Sequence, residues 1–106
     1  MVVELDIFSG RPNPRWELDE PDAGELQRLQ SSLPASGGTA PEPPPLGYRG
    51  FSYGIAGSTR AYKGYVQTLQ GILADPEFSV ERFLLERLPE EFSSLATLIA
   101  AELRPA

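Results

Sequence analysis

Hydrophobic and polar residues alternate over the first eight positions of the chain. Val3 and Leu5 occupy alternate positions, and Glu4 and Asp6 follow each of them. A period of two places the apolar side chains on one face of an extended chain and the acidic ones on the other. The pattern therefore predicts a half-buried strand over residues 1–8.

A second alternating segment follows at residues 15–19, where Trp16 and Leu18 occupy the inward positions. Between the two segments, residues 9–14 contain two prolines, a glycine and an asparagine, a composition typical of turns and loops. The simplest arrangement is a β-hairpin whose connection is long and stiff. We call residues 9–14 the first-hairpin loop.

The period then changes to that of a helix. Leu26 and Leu29 fall on one side of residues 20–32, with polar residues on the other. Asp19 suits the N-cap position, and Pro34 cannot continue a helix. We therefore predict a helix over residues 20–32.

Residues 34–46 are rich in proline and glycine and have no hydrophobic period. Neither side of this segment is large enough to form its own core. We predict an internal loop within a single domain that spans residues 1–106. The segment is either a solvated crossover or a proline-rich ligand for an aromatic groove.

Aromatic residues dominate two segments of the second half, residues 47–55 and residues 60–70. Phe51 and Tyr53 fall on one face of the first segment, and residues 56–59 have the composition of a turn. These segments are expected to pair as a second hairpin.

The last third of the chain has helical spacing. Asp75 followed by Pro76 is a typical helix start, Pro89 breaks or kinks the helix, and an apolar stripe continues from Phe92 to Leu103. Each half of the chain therefore gives strand, strand, helix. We predict an α+β fold, ββα-ββα, with a four-stranded antiparallel sheet and helices packed on one face.

Composition excludes several chemistries. The 106 residues contain no Cys and no His, and their formal net charge is −6. Zinc sites of the usual nitrogen or sulfur type, Cys nucleophiles and Ser-His-Asp triads cannot form. We expect no cofactor, although a magnesium or calcium site made of oxygen ligands stays open.

The acidic balance and the hydropathy limit the partners. Excess negative charge repels nucleic acid and anionic lipid, so neither is expected as a partner. No apolar run approaches the roughly 20 residues that a membrane-spanning helix needs. Acids interrupt the apolar residues at the N-terminus, unlike a signal peptide, and a cytoplasmic location is expected.

Two segments resemble a family of small, uncharacterised, mostly bacterial proteins. The first is Asp-Ile-Phe-Ser-Gly-Arg-Pro-Asn-Pro-Arg-Trp at residues 6–16, and the second is Leu-Gly-Tyr-Arg-Gly-Phe at residues 46–51. The family has no known activity, so the resemblance implies no function and no site residue.

The candidate binding residues come from the first-hairpin loop and from the start of the third strand. They are Ser9, Arg11, Asn13, Tyr48 and Arg49. Prolines fix the backbone of the loop, which lowers the entropy cost of binding, and arginine can grip a carboxylate or phosphate with two hydrogen bonds. Alternatively, Ser9 and Asn13 satisfy their own backbone in a purely structural connection.

The second pair of candidates, Tyr48 and Arg49, opens a predicted strand. If the two hairpins are neighbours, Arg49 lies near Asp6 or Glu17. The pair then forms either an arginine pocket with a tyrosine rim or an exposed cross-strand ion pair.

Acids on the first hairpin are a further possibility. Glu4, Asp6 and Glu17 share its polar face and could hold a hard cation or supply an acid and a base. A solvated strand face neutralised by Arg11 and Arg15 has the same pattern.

Two apolar sets have both a packing and a binding interpretation. Tyrosines on the second hairpin could line a groove or pack within the sheet. These are Tyr53, Tyr62 and Tyr65. The C-terminal stripe could exceed what one sheet covers and serve a homodimer or a partner helix. It comprises Leu95, Leu98, Ile99 and Leu103.

The leading hypothesis is a non-catalytic binding or accessory module that acts through the first-hairpin loop and the neighbouring Tyr48 and Arg49. A protein partner is expected there, with a homodimer or a second interface through the C-terminal helix, and a small molecule stays possible. The alternatives are a small enzyme that uses Asp6 or Glu17 as base with Arg11 or Arg49 as anion clamp, and a divalent-cation-binding domain.

Overall fold

A computed structural model describes residues 1–104, which form one antiparallel sheet and three α-helices. The strands are β1 (Val2–Leu5), β2 (Arg15–Glu17), β3 (Phe51–Tyr53), β4 (Thr59–Tyr62), β5 (Tyr65–Thr68) and β6 (Gly71–Ala74). The helices are α1 (Glu20–Ser31), α2 (Ser79–Leu85) and α3 (Ala96–Glu102), with 3₁₀ turns at Ile55–Gly57 and Glu90–Leu95. The α+β class and the antiparallel sheet are confirmed.

The strands follow the order β2-β1-β3-β4-β5-β6, and every neighbouring pair is antiparallel. One row of directly opposed residues is apolar: Leu5, Phe51, Ala61, Val66 and Leu73. The adjacent row is mostly polar: Arg15, Glu4, Ser52, Arg60, Gln67 and Ile72. Because successive side chains point to opposite faces, the sheet has an apolar inner face and a polar outer face.

The helices cover the inner face. Leu26 of α1, Leu84 of α2 and Ile99 of α3 are completely buried and belong to the same hydrophobic cluster as Leu5 and Phe51. This single core lies between the inner face of the sheet and the helices, and the polar row lies on the opposite face. Within residues 1–104, no helix has the length and apolar character needed to cross a membrane.

The prediction of four strands was wrong, because the sheet has six. The segment predicted as one strand over residues 60–70 is divided into β4 and β5 by a two-residue turn at Lys63 and Gly64, both with positive φ (51° and 82°). Such a turn is favoured in hairpins because its twist matches that of the strands. The sixth strand, β6, starts at Gly71, where the pattern had suggested the end of the run.

The helix starts were predicted with unequal success. α1 begins at Glu20, and the Asp19 side chain accepts a hydrogen bond from Asp22 N, as expected of an N-cap. The N-cap of α2 is Phe78, and the Asp75 carboxylate accepts hydrogen bonds from the first two amides of the helix, Ser79 N (3.1 Å) and Val80 N (2.9 Å). However, α2 begins only at Ser79, so the predicted first turn at Pro76 was wrong.

The first residues of the proline-rich segment form backbone hydrogen bonds with β6 at the edge of the sheet. Ala74 N donates to Pro34 O (2.9 Å) and Ser36 N donates to Ile72 O (2.8 Å). Residues 37–47 then cross without regular secondary structure to the start of β3. The segment is thus a connection between packed elements of the same sheet.

Candidate functional site

The candidate site lies where the chain beyond β1 meets the chain before β3. Asp6 N donates to Gly50 O (2.9 Å), and Arg49 N donates to Asp6 O (2.8 Å). These backbone bonds extend the β1–β3 ladder and bring Asp6 beside Arg49, as expected if the two hairpins are neighbours.

Two guanidinium groups converge on the Asp6 carboxylate. Arg60 Nη1 donates to Asp6 Oδ2 at 3.0 Å and also to the Arg49 carbonyl oxygen at 2.5 Å. Arg49 Nε lies 3.8 Å from the same Oδ2, too far for a hydrogen bond. We call these three residues the Asp6 cluster.

The three side chains of the Asp6 cluster differ in solvent exposure. The side chain of Asp6 is 16% exposed, whereas that of Arg49 is 41% exposed. Arg49 Nε is itself a buried atom and has no hydrogen-bond partner within residues 1–104, so the exposed fraction belongs to other atoms of the Arg49 side chain. The Arg60 guanidinium therefore bonds the carboxylate, and the exposed part of the Arg49 side chain remains open to an added ligand.

Asn13 satisfies backbone groups of its own hairpin, which was the structural alternative to a binding role. Its Oδ1 accepts from Ile7 N (3.0 Å) and Phe8 N (2.7 Å), while its Nδ2 donates to Glu4 Oε2 (3.0 Å). The Asn13 amide also lies within 3.4 Å of Asp6 Oδ1. The asparagine closes the first-hairpin loop and connects it to the Asp6 cluster.

Ser9 and Arg11 are exposed at the tip of the loop. The Arg11 guanidinium carbon lies 3.7 Å above the centre of the Phe8 ring, in a cation–π arrangement. Arg11 is therefore supported by an aromatic surface while its donors stay open to solvent. The structure keeps both residues accessible, as a role in binding requires.

Tyr48 is not on this surface, which corrects the expected tyrosine rim. It is only 3% exposed, and its hydroxyl donates to Glu81 Oε2 in the core. The other Glu81 oxygen accepts from Gly64 N at 2.8 Å. We call Tyr48, Gly64 and Glu81 the interior cluster, and it joins the chain before β3, the β4–β5 turn and α2.

The pKa values of the interior cluster are displaced by burial. Glu81 is 1% exposed, and burial raises its pKa above the ordinary value, partly offset by the hydrogen bonds from Tyr48 and Gly64. Burial, followed by the charge of Glu81, raises the pKa of the Tyr48 hydroxyl. Both groups therefore favour their neutral forms more than exposed side chains do.

Glu81 was missed from the sequence. The available signal was an acid among apolar residues of one short helix, since Val80, Phe83 and Leu84 surround it and are buried. A charged residue at such a position is rarely buried without a partner. The partner, Tyr48, lies 33 residues away in sequence, and this pairing was visible only in three dimensions.

The predicted tyrosine groove is divided by the sheet. Tyr53 is buried, and its hydroxyl donates to Gln30 Oε1 of α1 at 2.9 Å. Burial raises the pKa of the Tyr53 hydroxyl. Tyr62 and Tyr65 are directly opposed on β4 and β5 and lie apart from Tyr53 in the register.

The acids of the first hairpin are dispersed into separate ion pairs. Glu4 lies 3.4 Å from Arg15, and Glu17 lies 3.3 Å from the N-terminal amine. Among residues 1–104, no group of three or more carboxylates is placed to hold a metal ion. The acidic face thus offers no built cation site within the described chain.

Comparisons with known proteins give no relative to set beside this site. No family model matches the sequence, and no curated protein or solved structure matches it significantly.

Proposed function

We propose that this chain is a non-catalytic recognition module in which Arg11 and Arg49 bind an acidic group of a protein partner. The observation that carries the proposal is the unequal pairing within the Asp6 cluster. Arg60 Nη1 lies 3.0 Å from Asp6 Oδ2, whereas Arg49 Nε lies 3.8 Å from the same oxygen. The side chain of Arg49 is 41% exposed. A carboxylate or phosphate can accept hydrogen bonds from the exposed part of the Arg49 side chain.

Rigidity supports a recognition role. The first-hairpin loop is closed by the Asn13 bonds, and its end is fixed by the bond from Leu5 N to Pro14 O (3.0 Å). A loop that is already ordered loses little entropy when it binds. Arg11 is presented from this ordered loop on the ring of Phe8.

Arg60 is a positioning residue in this proposal. It bonds both the Asp6 carboxylate and the Arg49 carbonyl oxygen, and it is less exposed than Arg49. It neutralises the acid next to Arg49 and fixes the backbone from which the Arg49 side chain extends. An acidic ligand would otherwise meet an unpaired carboxylate at the same place.

The charge of the whole chain makes this local positive surface more distinctive. The formal net charge is −6, so the chain as a whole repels an acidic partner, and a cluster of arginines can attract it locally. Interactions of this kind control orientation and association rate more than total affinity. Binding should therefore weaken as salt concentration rises.

The C-terminal helix α3 offers less support for a partner-binding surface. Ile99 and Leu103 are buried, and Leu95 packs against the core. Leu98 remains 55% exposed. A single exposed leucine is ordinary on a protein surface, so we assign the partner to the arginine surface and not to a homodimer through α3.

The enzyme alternative has no comparable observation in its favour. The carboxyl group whose pKa is raised is Glu81, and it lies in the core instead of in a cleft beside an arginine. Asp6, the expected base, is engaged by Arg60. A binding role needs only the exposed side chains of Arg11 and Arg49.

The test is a capture experiment from native lysate with three variants beside the wild type. We expect Arg11→Ala and Arg49→Ala to lose a protein partner that the wild type retains at low salt. Arg28→Ala is the matched control, because Arg28 is an exposed arginine on α1 that is paired with Glu25. Full retention of the partner by Arg11→Ala and Arg49→Ala would refute the assignment.

A further inference from the structure

The outer face of β4 and β5 is covered by the proline-rich segment of the same chain. A narrow gap of about 10 Å³ separates the two surfaces. It is lined by Ala40, Pro41, Pro43, Arg60, Tyr62, Tyr65 and Gln67. Tyr62 and Tyr65 are directly opposed on the two strands and provide the aromatic part of this surface.

The covering segment is fixed at its two ends and held by side-chain contacts between them. Ser36 is anchored by its bond to Ile72, and Tyr48 by its bond to Glu81. Within the described chain, residues 37–47 form no backbone hydrogen bond with the sheet or the helices. The segment can therefore leave the surface without breaking the β-ladder.

The chemistry of the covering segment is that of a polyproline ligand. Residues 40–46 are Ala-Pro-Glu-Pro-Pro-Pro-Leu, and four of them lack a backbone N–H. Such segments adopt extended helices without internal hydrogen bonds, and aromatic-lined grooves bind them at a low entropy cost. Arg60 and Gln67 also line the gap, and their side chains carry hydrogen-bond donors.

We propose that this surface is a binding site for proline-rich peptides of other proteins, and that the proline-rich segment of the chain occupies it in cis through Ala40, Pro41 and Pro43. The site is separate from the arginine surface, although Arg60 borders both. Its occupant is a proline-rich segment because the chain itself shows that such a segment fits. The proposal does not depend on the proposed function of Arg11 and Arg49.

Because the proline-rich segment is part of the same chain, it controls the access of external peptides to the site. A ligand attached by a short chain has an effective concentration in the millimolar range, so an external peptide competes poorly. A proline-rich partner would bind once the internal segment is displaced. Removal of the internal ligand should therefore reveal the affinity of the site.

The experiment uses a variant in which Pro41, Pro43, Pro44 and Pro45 are replaced by Ser. The probe is a fluorescent peptide with the sequence of residues 39–47, titrated by anisotropy into the variant and into the wild type. We expect the variant to bind about tenfold or more tightly than the wild type. Adding Tyr65→Ala should abolish binding, and a peptide with Ala for Pro should not bind.

A second measurement is independent of the multiple variant. In the wild-type background, Tyr65→Ala should release the segment, seen as lower heteronuclear NOE values for the backbone amides of residues 37–40 and of Glu42. Leu69→Ala is the control, since Leu69 is 81% exposed at the β5–β6 turn. A folded proline-free variant that binds no peptide would overturn the proposal, as would unchanged amide dynamics in Tyr65→Ala. Dimers formed by segment exchange between two copies, with no peptide binding, would also overturn it.

Discussion

The carboxyl groups of Glu81 and Asp6 contact two neighbouring residues, Tyr48 and Arg49, from opposite sides. Tyr48 points inward to Glu81, and its neighbour Arg49 points outward to Asp6. The alternation of side chains along an extended backbone makes this possible. One segment thus contributes to the core and to the surface at once.

The two clusters differ in what surrounds the carboxyl group. Glu81 is 1% exposed and both of its oxygens accept hydrogen bonds from within the chain. Asp6 is partly exposed and is shared unequally between Arg60 and Arg49. A buried carboxyl group that is bonded at both oxygens serves the fold, whereas a partly exposed one beside an arginine whose side chain is 41% exposed can serve recognition.

The largest effect is expected in the interior cluster. Glu81→Ala leaves the Tyr48 hydroxyl and Gly64 N without their partner and opens a cavity, which should lower the free energy of unfolding by about 3 kcal/mol. Chemical denaturation measures this loss. Glu25→Ala, at an exposed ion pair on α1, should cost about 0.5 kcal/mol or less. Equal losses in both variants would remove the distinction between interior and surface carboxylates.

The next largest effect concerns the glycine that follows both side chains. Gly50 has φ +100°, and a Cβ there would lie 2.5 Å from the Ala61 carbonyl oxygen. Gly50→Ala should therefore destabilise the fold by about 2 kcal/mol. Gly37→Ala is the control, since a Cβ at Gly37 meets no atom within 4 Å. A Gly50→Ala protein as stable as the control would show that the β3–β4 approach is not as close as described.

A smaller effect is expected from pH. Because burial raises the pKa of Glu81 in the folded state above its ordinary value of 4.5, the folded protein binds more protons than the unfolded chain. This contribution to stability is complete below about pH 4.5 and is lost as pH rises through the raised folded-state pKa. Denaturation midpoints at several pH values should show this decline in the wild type and not in Glu81→Gln. Parallel curves for the two proteins would contradict it.

Much of the first half was predictable from local patterns. The alternation in β1 and β2 and the cap at Asp19 identified the first hairpin and α1, because these signals lie within a few residues of each other. The division of residues 60–70 was hidden, since Lys63 is not a residue that typically adopts positive φ. The short strand β6 depends on pairing with β5 more than on its own composition.

The candidate site was predictable only in part. The neighbourhood of Arg49 and Asp6 followed from the expected arrangement of hairpins, and it is present in the structure. The participation of Arg60 was not foreseen, because it depends on the register of β4 against β3. The burial of Tyr48 depends on Glu81, which lies far away in sequence, so a local pattern could not indicate it.

The most direct test of the recognition role is an NMR titration of the wild-type protein with a hexaglutamate peptide at low salt. The side-chain Nε–H resonances of arginine report on each guanidinium separately. We predict saturable shifts for Arg49 and Arg11, with Arg28 unchanged, and their loss as salt concentration rises. Absence of shifts at Arg49 and Arg11, or equal shifts at Arg28, would contradict the assignment of the acidic-ligand site to this surface.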